Sequence, residues 1–221
     1  MAVRKRIIRI LRDVVEKHPD FEKNPEIVAK IVRRIADEDG VRKLVLETLY
    51  TLWFTPVHDP VAIHKRITLM ADAISEIIKL GFVDYLKQAI LAILKEYAEK
   101  PQLEDVCRHL VDALVDNVLQ LDQEMANVET VDNSRESDDD ENEELKQAAN
   151  SKRIVQQRMI ACLTALSVFS NVNPTLLIRH AEIFLPYLTI KPTSPTEFQV
   201  LVAVSHFIFY LSNFNLSLIH I

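Results

Sequence analysis

The sequence predicts an all-α chain of stacked antiparallel helix pairs, and three observations carry that prediction. The 221 residues hold two glycines against nine prolines, whereas sheets, barrels and nucleotide-binding loops need glycine at turns of positive φ and helical hairpins turn on Asn, Asp and Pro. Apolar residues recur at three- and four-residue intervals through most of the chain. Expected helix starts near 3, 25, 41, 61, 82 and 102 lie about 20 residues apart and give a two-helix unit of about 40, the length of HEAT and armadillo units. Such units cannot bury their apolar faces alone, so they stack into a superhelical solenoid of the HEAT-repeat kind.

The first helix is expected from Val3 to Lys17, with Ile7, Ile8, Ile10, Leu11, Val14 and Val15 as its buried stripe and His18-Pro19 as its stop. Asn24 as cap and Pro25 in the first turn open a second helix, Glu26 to Ala36, with Ile27, Val28, Ile31, Val32 and Ile35 inward. Gly40 is expected to break the chain. A third helix, Val41 to Phe54, then buries Leu44, Val45, Leu49, Leu52 and Trp53. Pro56 and Pro60 bound a loop before a helix from Val61 to Leu80, ended by Gly81, and another from Phe82 to Ala98. A sixth runs from Gln102 to about Glu124 with Val106, Leu110, Ala113, Leu114, Val118 and Leu121 as its core side.

Residues 127–150 hold few apolar side chains. Between 129 and 144 stand nine acids and one base, a charge of -8 within a chain of net charge -6, so the remainder carries +2. A segment of this composition cannot offset the entropy of ordering and is expected to be a disordered acidic insertion between helical repeats over 1–126 and 151–221. Ser134 and Ser137 precede acids there, the setting of an acid-directed kinase. The helical rhythm returns at Ser151, Pro174 opens an expected helix through Leu188, and Thr196 opens another. From Val200 to Ile221 the chain is apolar nearly all round, which reads either as a piece of a longer solenoid whose next repeat would cover that face or as a truncated sequence whose last dozen residues do not belong to the repeat pattern.

Composition excludes several function classes. Too few glycines exist for a phosphate-binding loop, and neither a G-x-S-x-G elbow nor a Cys/His constellation appears. The seven histidines include no HExxH pair, and Cys107 and Cys162 sit in apolar helical patterns as small buried hydrophobes of a reducing compartment. Asp112 and Asp116 at i, i+4 read as a solvated acidic stripe. No apolar run reaches the roughly 18 residues of a membrane span, and no enzyme, metal or cofactor is expected.

One constellation remains. Lys5, Arg9 and Arg12, then Arg33 and Arg34, then Arg42 and Lys43 recur over three consecutive helices, and in a stacked solenoid equivalent helix faces align into a ridge able to neutralise backbone phosphates. The alternative is a set of solvated charges paired with Glu16, Glu38, Asp39 and Glu47, with Arg42 tied to Asp37 or Asp39 as a structural pair.

Arg33-Arg34-Ile35-Ala36-Asp37-Glu38-Asp39-Gly40, Lys43-Leu44-Val45, Glu47-Thr48 and Leu52-Trp53-Phe54-Thr55-Pro56 together resemble the cohesin loaders of the Nipped-B or adherin family. Arg6 to Asp13, Val111 to Val115, Asn173-Pro174, Arg179-His180-Ala181 and Leu185 to Thr189 are similar to further repeats of that family. The resemblance implies a HEAT solenoid that loads cohesin onto chromosomal DNA in the nucleus and stimulates the cohesin ATPase while hydrolysing nothing itself. It implies as partners the cohesin complex with its SMC ATPase heads and kleisin, double-stranded DNA held through phosphate contacts, and a small loader subunit bound by a region not present in this sequence. The competing reading is a HEAT-type protein-interaction scaffold such as a transport receptor or coat solenoid.

Overall fold

A computed structural model of the chain describes residues 2–132, 142–189, 191–192 and 195–219, and among them every regular element is helical. The chain divides into two compact units, Met1–Ala113 and Leu114–Ile221.

The first unit contains α1 (Ala2–Lys17), α2 (Asn24–Val32) continuing into a 3₁₀ turn (Arg33–Ala36), α3 (Asp39–Trp53), α4 (Pro60–Lys79), α5 (Val83–Glu96) and the start of α6 (Leu103–Asp132). α1 packs against α3 and α3 against α5, while α2 packs against α4. The stacked hairpins therefore form two layers, as a HEAT-type chain requires. Val28, Ile31, Val32, Ile35, Leu44, Val45, Leu49 and Trp53 are buried between them, as their spacing predicts. Ile7 and Ile10 are not: they are 49% and 54% exposed. α1 packs mainly against α3 and α2 in this unit, and that packing buries a narrower stripe, Ile8 and Val15.

Two turn readings are corrected. Asn24 does not cap α2. Its side chain is fully buried and Nδ2 donates to the carbonyls of His18 and Pro19, 2.7 and 3.0 Å away, fastening the α1–α2 turn from within. Gly40 does not break the chain either. It lies in the first turn of α3, and the break falls at Asp37 and Glu38, whose ψ of 176° and 152° are extended. Gly81 does end its helix as expected: its φ of 71° closes α4, with Phe82 N donating to Ile77 O and Gly81 N to Ile78 O. Asp59 caps the start of α4, accepting from Ala62 N at 2.8 Å.

The Trp53-Phe54-Thr55-Pro56 stretch is held by Arg66. The half-buried guanidinium donates to the carbonyls of Trp53 and Thr55 and to Thr55 Oγ1, satisfying oxygens that the end of α3 leaves without intrahelical donors. Trp53 and Phe54 are both fully buried beside it.

The second unit holds the rest of α6, α7 (Asn142–Val172), short turns at Pro174–Leu176 and Ile178–His180, a single helical turn α8 (Ala181–Phe184), a further 3₁₀ turn (Leu185–Thr189), and α9 (Pro195–Ile219). The continuous helix expected from Pro174 to Leu188 is thus broken into single turns. Pro186 lacks the N–H an α-helix would need there and its ring clashes with the preceding turn, which accounts for the change to 3₁₀ geometry after Phe184. α7 packs along α9, burying Phe169, Val204, Phe207 and Leu211, and the Phe184 and Phe207 rings meet edge to face at 5.0 Å. Phe198, Val202 and Phe209 on α9 are exposed. The long helices outrun their expected ends, and the core of the acidic segment, 133–141, with Ser134 and Ser137, lies outside the described residues.

Both cysteines are buried and unlinked. Burial, with a smaller effect of Glu104, pushes the Cys107 thiol up to about 12. It stays protonated and inert at neutral pH. Cys162 Sγ donates to Asn117 Oδ1 at 3.4 Å across α6 and α7.

Replacing Arg66 with Met keeps much of the packing and removes three donors at the end of α3. The expected cost is about 2–3 kcal/mol, read as a lowered urea midpoint with unchanged m-value.

Candidate nucleic-acid interface

The register of α1, α3 and α5 decides where the basic residues stand. Arg4 Nη1 lies 3.6 Å from Asp37 Oδ2 just before α3, and Arg12 Nη1 lies 3.3 Å from Glu47 Oε1 within it. α1 and α3 therefore run side by side in the same direction. Further along the same layer, Asp39, Arg42, Lys43 and Leu46 of α3 face Ala92, Lys95 and Glu96 of α5 across one groove. Beyond it Tyr50 stacks on Tyr97 with ring centroids 4.1 Å apart, and Lys100 Nζ sits 4.6 Å from the Tyr50 ring centroid. α3 and α5 are parallel as well.

The seven predicted cations separate into two groups. Arg12 is one-quarter exposed and meets Asp13, Glu16 and Glu47 within 4 Å, and Arg34 meets Asp37 at 3.8 Å. Arg33 lies over the Phe82 ring, its Cζ 5.0 Å from the centroid. These three are committed to the fold's own surface. Lys5, Arg9, Arg42 and Lys43 have no ion-pair partner among the described residues. The structural pair expected between Arg42 and Asp37 or Asp39 does not form, because Asp37 turns instead to Arg4 and Arg34.

Arg9 stands one turn before Arg12 on α1, and Lys43 one turn before Glu47 on α3, so the Arg12–Glu47 pair sets Arg9 and Lys43 at one level on the shared outer face. Lys95 of α5 lines the same groove as Arg42 and Lys43, more than one turn further along by the Tyr50–Tyr97 stack. Sequence reasoning passed over Lys95, since its helix carries no cluster of bases. The signal was there in the repeat offset, which sets α5 beside α3.

A second concavity lies on the other side of α3. A cavity of about 210 Å³ is bounded by Trp53, Val57, Ile63, Ile67, Val106 and Leu110, with His58, Asp105 and His109 also lining it. Among the described residues no three His, Cys, Asp or Glu side chains converge as metal ligands, and no helix is long and apolar enough to cross a membrane. His180 accepts at Nε2 from Arg179 Nε at 3.2 Å.

The chain is 39% identical over 194 residues, 86% of its length, to the Nipped-B-like protein scc-2 of Caenorhabditis elegans. It is 34% identical over 93% of its length to Nipped-B-like protein B of Danio rerio, and 32% identical over 93% to the Nipped-B protein of Drosophila melanogaster. The chain belongs to the Nipped-B family. It spans 8%, 6% and 9% of the lengths of those three relatives, so it corresponds to a small part of each. No family model matches the chain. The Nipped-B resemblance read from the basic helix, the acidic turn and the Trp-Phe-Thr-Pro stretch is thus met, and those residues all fall in the two-layer first unit.

Truncating Arg12 to Ala leaves Glu47 without its partner and uncovers the surface under the arginine stem. The expected loss is about 1 kcal/mol of unfolding free energy. Arg9→Ala, on an exposed and unpaired side chain, stays within about 0.5 kcal/mol of the parent in the same urea titration.

Proposed function

We propose that this chain is part of a cohesin loader and helps to load cohesin onto chromosomal DNA in the nucleus, supporting sister chromatid cohesion. The similarity to Nipped-B proteins over 86–93% of the chain carries this reading. Its contribution is structural and electrostatic. A HEAT-type stack offers a long surface, and the basic layer of the first unit meets the phosphate backbone through Lys5, Arg9, Arg42 and Lys43, with Arg12, Arg33 and Arg34 shaping the field around them. Such contacts position a duplex without reading its sequence. The loader holds DNA against the SMC ATPase heads and kleisin of cohesin and stimulates that ATPase, while catalysing no reaction of its own. The small loader subunit binds elsewhere in the whole protein.

Duplex DNA affinity of the chain measured from about 50 to 200 mM salt tests the electrostatic part. Binding should weaken steeply, with a slope near -0.9 per phosphate neutralised. Replacing Lys5, Arg9, Arg42 and Lys43 together by Ala should flatten that dependence. A chain that ignores duplex DNA at the lowest salt, with its helices intact by circular dichroism, would be better read as a protein-interaction scaffold.

A further inference from the structure

We infer that the DNA contact of this unit is a single row of cations running across the helix axes, Arg9 on α1, Arg42 and Lys43 on α3, and Lys95 on α5, with Lys95 a phosphate-binding residue that the basic clusters of the sequence do not reveal. The inference rests on the reading that this surface meets duplex DNA, and it names where.

Three observations place the row. The four side chains are exposed and have no carboxylate within ion-pair distance among the described residues, so their charge is available to a ligand. Two contacts place them: the Arg12–Glu47 pair brings Arg9 alongside Lys43, and Lys95 lines the α3–α5 groove with Arg42 and Lys43, set more than one helical turn further along by the Tyr50–Tyr97 stack. Of the α3 acids beside the row, Glu47 is answered by Arg12, while Asp39 lines the groove with no ion-pair partner among the described residues. Arg12 thereby acts as a positioning residue, removing a negative charge that would otherwise face the phosphates one turn away.

Scale and shape favour a duplex over an acidic polypeptide. Packed helices lie about 8–10 Å apart, so a row crossing three of them spans about 20 Å, the rise of about six phosphates along one strand at 3.4 Å each. A peptide site of comparable affinity needs an apolar anchor pocket. The floor of this groove is Leu46, which is 2% exposed and leaves no side chain to grip. Asp39 and Glu96 line the same groove. They confine favourable contact to the cations and so set the path of the strand.

The test compares the intact 221-residue chain with Lys95→Ala, Lys43→Ala, their double variant, and, as control, Lys23→Ala/Lys30→Ala at α2, whose side chains pair with Glu26, each bound to a duplex oligonucleotide over a salt series and, separately, to polyglutamate. Lys95→Ala and Lys43→Ala should each lower the salt slope for DNA by about 0.9 and the double variant by about 1.8, while the Lys23/Lys30 control keeps the parent slope. If the parent binds DNA with a steep slope that Lys95→Ala and Lys43→Ala leave unchanged, the row is wrong although the DNA reading stands. If these variants lose polyglutamate binding and retain DNA binding, the groove is a protein site and the inference fails. A parent chain that binds no duplex at about 50 mM salt removes the DNA reading and the row with it.

Discussion

The arrangement depends on one constraint: no hairpin in this chain can cover its own apolar stripe. α2 needs α4, α1 needs α3, and α3 needs α5, so hairpins must stack with like helices side by side. That stacking makes α1, α3 and α5 parallel and in register, and register is what turns scattered bases into a surface. Arg9 and Lys43 are 34 positions apart in sequence, Lys43 and Lys95 are 52 apart, and only burial of the stripes beneath them sets them side by side. A stripe narrower than expected has the opposite effect at the edge, where Ile7 and Ile10 of α1 stand in solvent.

Local charge then decides which cations remain available. Carboxylates at the α2–α3 turn and on α3 engage Arg4, Arg34 and Arg12, and an aromatic ring engages Arg33. Each such pair contributes modestly to stability at a hydrated surface. Their larger effect is on the electrostatic pattern, because they neutralise Asp37 and Glu47 and leave Asp39 and Glu96 as the acids lining the groove beside the exposed row. The far end of α3 is fixed by the buried Trp53-Phe54 pair and the hydrogen bonds from Arg66.

Much of the fold was legible. Periodic stripes located the helices of the first unit within a few residues, the glycine shortage excluded sheets, and the Trp-Phe-Thr-Pro stretch with its acidic turn pointed to the family. Turn chemistry was less legible, for reasons that lie in tertiary context. Asn24 sits where a cap would sit, yet its amide is drawn inward to two carbonyls that the α1–α2 turn would otherwise leave buried without donors. Gly40 looks like a helix breaker, but the extended backbone falls three residues earlier, where Asp37 is held by Arg4 and Arg34. Pro186 ends the α-helical turn at Phe184 within a stretch whose apolar spacing alone reads as one helix. For the interface, counting bases gave Arg12, Arg33 and Arg34 the same weight as Arg9 and Lys43. Which of them are engaged depends on neighbours distant in sequence, and Lys95 becomes visible only when α5 is set beside α3.

The central claim is that the α1–α3–α5 layer, and not the α3–α4–α6 side around Trp53, faces DNA. Photo-cross-linking from single probes at positions 43 and 95, compared with probes at 58 and 109 beside the cavity, addresses it most directly. With DNA on that layer, a bound duplex is captured from 43 and 95 and not from 58 and 109. Capture from 58 and 109 with none from 43 and 95 would contradict it.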